Sequence, residues 1–155
     1  MPVNPTIDLE AVKKVLEEGI AFVARSGLRV IELRRGHVKC LMPLAGNANH
    51  IGTMYAGALF TLAELPGGAI SLASFDSSRF YPIVKALDMR FVKPATGDVT
   101  IEIGIPESRI LSVTAEAEAK GKAEFELVGE LKLADGTIVA TSHGIYQIRS
   151  LQGAR

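Results

Sequence analysis

One segment of the chain, from Thr53 to about Ser74, is predicted to form a helix that is apolar around almost its whole circumference. A helix of that kind has to be buried on most sides. The segments on either side predict strands, which are joined by short connections and should therefore pair antiparallel. A single apolar helix among antiparallel strands can be covered only if the sheet curls around it. The sequence thus predicts an α+β domain with a curved antiparallel sheet wrapped around a long central helix.

The remaining elements follow from periodicity and turn residues. An amphipathic N-terminal helix is predicted over residues 8–24, and Glu107–Lys120 suits a short helix ending at Gly121. An Asp135-Gly136 turn predicts a hairpin between the last two strands. The predicted strands are 28–35, 37–43, 83–93, 99–105, 123–133 and 137–149. We expect one domain over residues 1–155, with its core at about 28–149.

Composition excludes several classes of function. Lys and Arg number 17, as do Asp and Glu, which gives no electrostatic reason to expect nucleic acid or an anionic membrane as partner. A single cysteine, Cys40, offers no internal disulfide and no cysteine-based metal cluster, and we expect no metal site. Pro66, several glycines and Glu64 argue against a membrane-spanning central helix, and the N-terminus does not read as a signal peptide. The expected location is the cytoplasm.

Glu64 is the one Asp, Glu, Lys or Arg between His50 and Asp76. No Lys or Arg lies three or four residues away, so a local helical ion pair is excluded. An unpaired buried charge is costly, so this carboxylate must find water, a distant partner or a substrate. Glu64 is therefore the first candidate for chemistry, although pairing with a distant cation is the structural alternative.

The surroundings of Glu64 are small and polar along one helical face. Gly57, Thr61, Glu64 and Gly68 follow helical spacing, which leaves open room beside the carboxylate. Pro66 removes one backbone donor and predicts a distortion of the turn around Glu64. Unpaired N–H groups at the helix start can bind an oxyanion, and Gly57 allows close approach to its N–H. Asn49 lies upstream, where it can orient a water or serve as an ordinary turn residue.

These residues resemble the hotdog-fold acyl-CoA thioesterases, in particular the phenylacetyl-CoA-thioesterase-like branch. The family pattern is an Asn, then His-Gly-Gly, then a helix running to an acidic residue, and YAGALFTLAE (Tyr55 to Glu64) matches it. The strand MRFVKPATGDV and the closing GTIVATSHGIYQIR are also similar to the family. Tyr55 and Ala56 stand where the family has His and its first Gly, and Glu stands where that branch has Asp.

The resemblance implies an acyl-CoA thioesterase that works as a homodimer or homotetramer and needs no cofactor, because CoA belongs to the substrate. It implies Glu64 as base or nucleophile, the Gly57 N–H as oxyanion donor and Asn49 as the residue that positions water or carbonyl. The residues expected to contact substrate are Tyr55, Ala56, Thr61, His50 and Gly68. Those available for the CoA phosphates are Arg90, Lys93, Lys120 and Lys122.

Two other functions fit parts of the pattern. A 3-hydroxyacyl-thioester dehydratase would use His50 and Glu64, although the Pro-Gly that those enzymes carry at the helix start is missing. A non-catalytic acyl-CoA-binding or sensing protein would fit the loss of the family His. An appended output domain, which a sensor normally has, is not evident in the sequence.

Overall fold

The computed structural model describes residues 7–153, which form an antiparallel sheet around one central helix. The strands are β1 (Arg29–Arg34), β2 (His37–Met42), β3 (Phe80–Phe91), β4 (Val99–Gly104), β5 (Lys122–Lys132) and β6 (Ile138–Ser150). Their order across the sheet is β1-β2-β4-β5-β6-β3, so β1 and β3 form the two edges. The helices are α1 (Leu9–Glu18), α2 (Ala21–Ser26), α3 (Ala56–Ser74) and α4 (Glu107–Lys120), and a 3-10 turn spans Leu151–Gly153.

Helix α3 contacts all six strands, which confirms that the sheet curls around it. The inward side chains of β2, β4 and β5 alternate strictly with outward ones and bury Val38, Ile101 and Phe125 against the helix. By length and composition α3 could cross a membrane, but 61% of its apolar 18-residue stretch is buried inside the protein. That burial is the pattern of a core helix.

Pro66 does not divide α3, which continues through it to Ser74. The predicted distortion is therefore not a break in the helix. Contacts with six strands hold the chain helical although Pro66 supplies no N–H to the carbonyl of Leu62.

The N-terminal helix differs from the prediction, because residues 8–24 form two helices instead of one. α1 ends at Gly19, and Ile20 adopts an extended conformation before α2 begins. Asp8 caps α1 by accepting a hydrogen bond from the Ala11 N–H at 3.1 Å. Leu16 of α1 and Val23 of α2 are buried, whereas Val15 and Ile20 are exposed. After the break, Phe22 and Val23 of α2 line a pocket together with Phe60 and Thr61 of α3.

The other predicted elements agree with the structure to within a few residues. α4 buries Ile110, Val113 and Ala117, the face that its pattern predicted. At the turn between β5 and β6, Gly136 has a φ of +89°, a conformation that glycine adopts readily. Cys40 is fully buried, and this burial raises the pKa of its thiol to about 12.

Candidate active site

The loop before α3 is held by its own asparagines. The Asn49 side-chain oxygen accepts from the N–H groups of Ile51 and Thr53 at 3.0 and 3.1 Å, and its amide donates to the Thr53 hydroxyl at 2.9 Å. The Asn47 amide donates to the carbonyls of Ser26 and Pro43. Asn49 thus shapes the loop, the turn role that the sequence left open. The side-chain oxygen of Asn49 therefore already accepts hydrogen bonds from two backbone N–H groups.

The start of α3 is anchored to neighbouring chain segments. The Met54 N–H donates to the Ala95 carbonyl at 2.9 Å, and the Tyr55 N–H donates to the Asn47 carbonyl at 2.8 Å. Tyr55 is the N-cap residue and makes no side-chain capping bond. Among the hydrogen bonds of residues 7–153, none is donated by the N–H groups of Ala56 and Gly57. These groups, at the positive end of the helix dipole, can receive an anionic oxygen.

Two adjacent pockets lie along the half-exposed face of α3. The first, of about 480 Å³, lies at the helix start and is lined by Phe22, Arg25, Ser26, Gly46, Asn47, Ala48, Asn49, His50, Tyr55, Gly57 and Ala58. The second, of about 400 Å³, contains Glu64 and is lined also by Ile20, Phe22, Val23, Phe60, Thr61, Val84, Lys85, Ala86 and Leu87. Phe22 of α2 lines both pockets, so together they follow the helix from Gly57 to Glu64.

The Glu64 carboxylate is half-buried and lines the second pocket. Within the described part of the chain it accepts no hydrogen bond and forms no ion pair. Burial raises the pKa of this carboxyl above its ordinary value. The structure therefore does not give Glu64 the distant cationic partner that a purely structural role would require.

Thr61 lies between Gly57 and Glu64 on the same face, as the spacing predicted. Its hydroxyl donates to the Gly57 carbonyl at 2.8 Å, a bond made back into the helix. Gly57, Thr61, Glu64 and Gly68 are all partly exposed, whereas most of α3 is buried. No heavy atom lies within 4 Å of a Cβ built at Gly68, which is open space as expected.

Of the other predicted contact residues, Tyr55 and His50 line the first pocket with Gly57. Tyr55 is 60% exposed, and its ring covers Gly57 closely: a Cβ there would lie 2.6 Å from the Tyr55 Cε1 atom. Ala56 faces another pocket, with Lys93 and Ala95. His50 and Glu64 line different pockets, so one chain does not place them around a shared substrate carbon.

The four cations expected at the CoA phosphates do not come together in this chain. In the register of the sheet, Lys122 of β5 lies opposite Arg149 of β6, and Arg90 of β3 lies opposite Thr141 of β6. At about 3.3 Å per residue, those two levels of the sheet are roughly 26 Å apart. Lys120 also lies at the far end, in an ion pair with Glu116 at 3.7 Å. Of the four, Lys93 lines a pocket at the start of α3.

Three pocket residues were missed by sequence reasoning. Phe22 and Arg25 enter because the chain breaks at Gly19, which no helical period reveals. Lys85 lies at a bulge in β3, where the pairing with β6 shifts between Val84 and Ala86. A lone Lys in the apolar run IVKAL was the available signal for that site.

Comparisons with known proteins agree with this architecture. The sequence model of a family described as a domain of unknown function, DUF4442, matches residues 9–145. A protein of unknown function from Pseudomonas aeruginosa, described as a probable thioesterase, is 55% identical; the alignment covers 91% of this chain and 95% of that one, with a TM-score of 0.87. No curated protein matches the chain.

Two more distant structures share the fold. A protein of unknown function from Chlorobaculum tepidum has 18% identity and a TM-score of 0.79, over 91% of this chain and 93% of that one. A thioesterase from Haemophilus influenzae has 12% identity and a TM-score of 0.73, over 97% and 96%. The chain has the hotdog fold and belongs to the family described as domain of unknown function DUF4442.

Proposed function

We propose that this protein is a thioester hydrolase acting on acyl-CoA, with Glu64 as its base or nucleophile. The observation that carries the proposal is the unpartnered Glu64 carboxylate on the same face of α3 as the uncommitted Gly57 N–H. The 55% identical protein described as a probable thioesterase supports the reaction class.

The spacing along the helix suits hydrolysis. Gly57 and Glu64 are seven residues apart, which is about 10 Å of helix rise at 1.5 Å per residue. The Glu64 side chain leans toward the helix N-terminus, as helical side chains do, and this shortens the gap. The remaining space fits a thioester carbon and an attacking water at roughly 3 Å contacts. The carbonyl oxygen would then accept from the Gly57 N–H, where the helix dipole stabilises developing negative charge.

Glu64 would act as a general base on that water or attack the carbonyl itself. A raised pKa makes the Glu64 carboxylate a stronger base. At a pH above that raised pKa the carboxyl group is still mostly ionised and can accept a proton. The apolar walls of its pocket, Phe60 and Phe22 among them, suit an acyl chain. Arg25 and Lys93, beside the helix start, are the cations best placed for the CoA phosphates.

A homodimer formed through β3 accompanies this proposal. In the part of the chain that the structure describes, β3 pairs with β6 alone and leaves its outer edge without a partner strand. Val84 on this strand and Phe60 beside it are each 45% exposed at the mouth of the Glu64 pocket. Long unpaired edges with exposed apolar side chains favour pairing with a second copy. Light scattering should give twice the monomer mass, and Val84→Arg should shift it toward monomer; a monomeric native protein would contradict this arrangement.

The main test measures free thiol release from a panel of acyl-CoA thioesters. Glu64→Gln should lower kcat by at least about a hundredfold, because it keeps the shape and removes the base. Glu32→Gln is the matched control, since that carboxylate is exposed and bonded to His37. The rate of the native protein should rise with pH through the raised pKa of Glu64, because the base must be ionised. Hydrolysis that persists in Glu64→Gln would refute the mechanism, and acyl-CoA binding without turnover would indicate a binding protein instead.

A further inference from the structure

The Glu64 turn of α3 is tied to the sheet by one buried side chain. The Tyr146 hydroxyl, from β6, donates to the main-chain carbonyl of Glu64 at 3.2 Å. The two residues are distant in sequence, and Tyr146 is 2% exposed. This hydrogen bond reaches the backbone of the proposed catalytic residue itself.

The ring of Tyr146 occupies a slot that only glycines leave open. A Cβ at Gly67 would lie 1.9 Å from the Tyr146 Cε1 atom, and a Cβ at Gly144 would lie 2.4 Å from its Cε2 atom. The ring also stacks on Phe125, with centroids 5.8 Å apart. Neighbours on three sides therefore fix where the hydroxyl points.

Helix α3 lacks one internal hydrogen bond in the turn that carries Glu64, because this turn also contains Pro66. Pro66 has no N–H, so the Leu62 carbonyl loses its usual donor four residues on. Tyr146 supplies an external donor two residues away from Leu62, at Glu64. The same tyrosine pairs with Val84 in the β3–β6 register, immediately before the bulge at Lys85. Thus Tyr146 bonds through its side chain to the helix turn that carries Glu64, and pairs through its backbone with β3, the strand that lines the Glu64 pocket.

We propose that Tyr146 is a positioning residue that fixes the Glu64 carboxylate toward the pocket by holding its backbone. This inference rests on the proposed function for its kinetic consequences, but the placement of the carboxylate can be measured without turnover. Within residues 7–153, the charged and titratable groups that face Glu64 are Tyr146 from β6 and Lys85 from β3, and α2 contributes the apolar side chains of Phe22 and Val23.

Tyr146→Phe tests the proposal, because it keeps the ring in its slot and removes only the donor. Against acyl-CoA, kcat should fall about ten- to hundredfold with KM nearly unchanged, since a misplaced catalytic group slows the chemical step. The inflection of the pH–rate profile should move toward the ordinary pKa of a glutamate, because a loosened turn lets the carboxylate reach water. Tyr81→Phe is the matched control, since within residues 7–153 that hydroxyl makes no hydrogen bond.

A second measurement separates this proposal from the function itself. The titration of the Glu64 carboxyl, followed by NMR in carboxyl-labelled protein, should shift downward in Tyr146→Phe and stay constant in Tyr81→Phe. If no acyl-CoA is hydrolysed by the native protein, the proposed function fails while a shifted titration still supports the positioning role. An unchanged titration together with an unchanged kcat would overturn it and leave Tyr146 as an ordinary core tyrosine.

Discussion

Two neighbouring glycines show that one side of α3 is tightly packed and the other side is open. Gly67 faces the sheet, where the Tyr146 ring leaves no room for even one added carbon. Gly68, the next residue, faces open space. The same helix is thus closed on the side that the sheet covers and open on the side that carries Glu64. The tight side fixes the helix in place, and this lets the open side carry a costly, unpartnered carboxylate.

Carboxylates elsewhere in the molecule show what Glu64 lacks. Glu107 accepts hydrogen bonds from Arg35 at 2.8 Å, and Glu32 accepts one from His37 at 2.9 Å when the ring donates. These partners lower the pKa of each carboxyl, while burial without a partner raises the pKa of Glu64. Such a shift at a pocket is typical of residues retained for chemistry.

The largest stability effect should come from filling the closed side. Gly67→Ala forces a methyl group into the Tyr146 ring, which stacking on Phe125 and the nearby Gly144 backbone prevent from moving away. We expect a loss of about 1–3 kcal/mol in the free energy of unfolding, as for other overpacked cores. Denaturant unfolding monitored by circular dichroism measures it.

Gly68→Ala is the matched control on the open side. It should stabilise the protein by about 0.5–1 kcal/mol, because alanine costs less backbone entropy in a helix and meets no neighbour. Equal effects of the two alanines, in either direction, would show that the two sides of α3 are not packed differently.

The open side was predictable from the sequence because its cause is local. Helical spacing alone placed Gly57, Thr61, Glu64 and Gly68 on one face, and all four are partly exposed. The wrapped sheet followed for a similar reason, since an apolar helix among antiparallel strands has few other ways to be covered. The same holds for the buried face of α4.

The closed side and the pocket walls depend on long-range pairing, which local pattern does not encode. Which glycine would receive Tyr146 depends on the rotation of α3 against β6. Lys85 reaches the pocket through a shift in register with β6, and Phe22 does so through the break after α1. The wide separation of two charges proposed for the CoA phosphates has the same cause, because strand register places Arg90 and Lys122 at opposite ends of the sheet.

The smaller stability effect should come from removing the charge on the open side. For Glu64 the pKa is higher in the folded protein than in the unfolded chain, so its contribution to stability is fully present below the unfolded pKa. That contribution is lost as pH rises through the folded pKa, because ionisation is then disfavoured only in the folded state. Glu64→Gln carries no charge at any pH. It should therefore match the native protein in acid and become more stable at neutral pH.

We expect the gain at neutral pH to be about 1 kcal/mol, similar to other replacements of costly functional groups. For a chain of this size that is roughly 2–4 °C in Tm. Thermal unfolding of both proteins across the pH range measures it, and only their difference counts, since paired carboxylates such as Glu107 titrate equally in each. Glu32→Gln should show the opposite trend, losing stability relative to the native protein as pH rises, because its pKa is lowered by His37. A Glu64→Gln variant less stable than the native protein at neutral pH would mean that the carboxylate has a stabilising partner, and that the open side of α3 is not a site of retained chemistry.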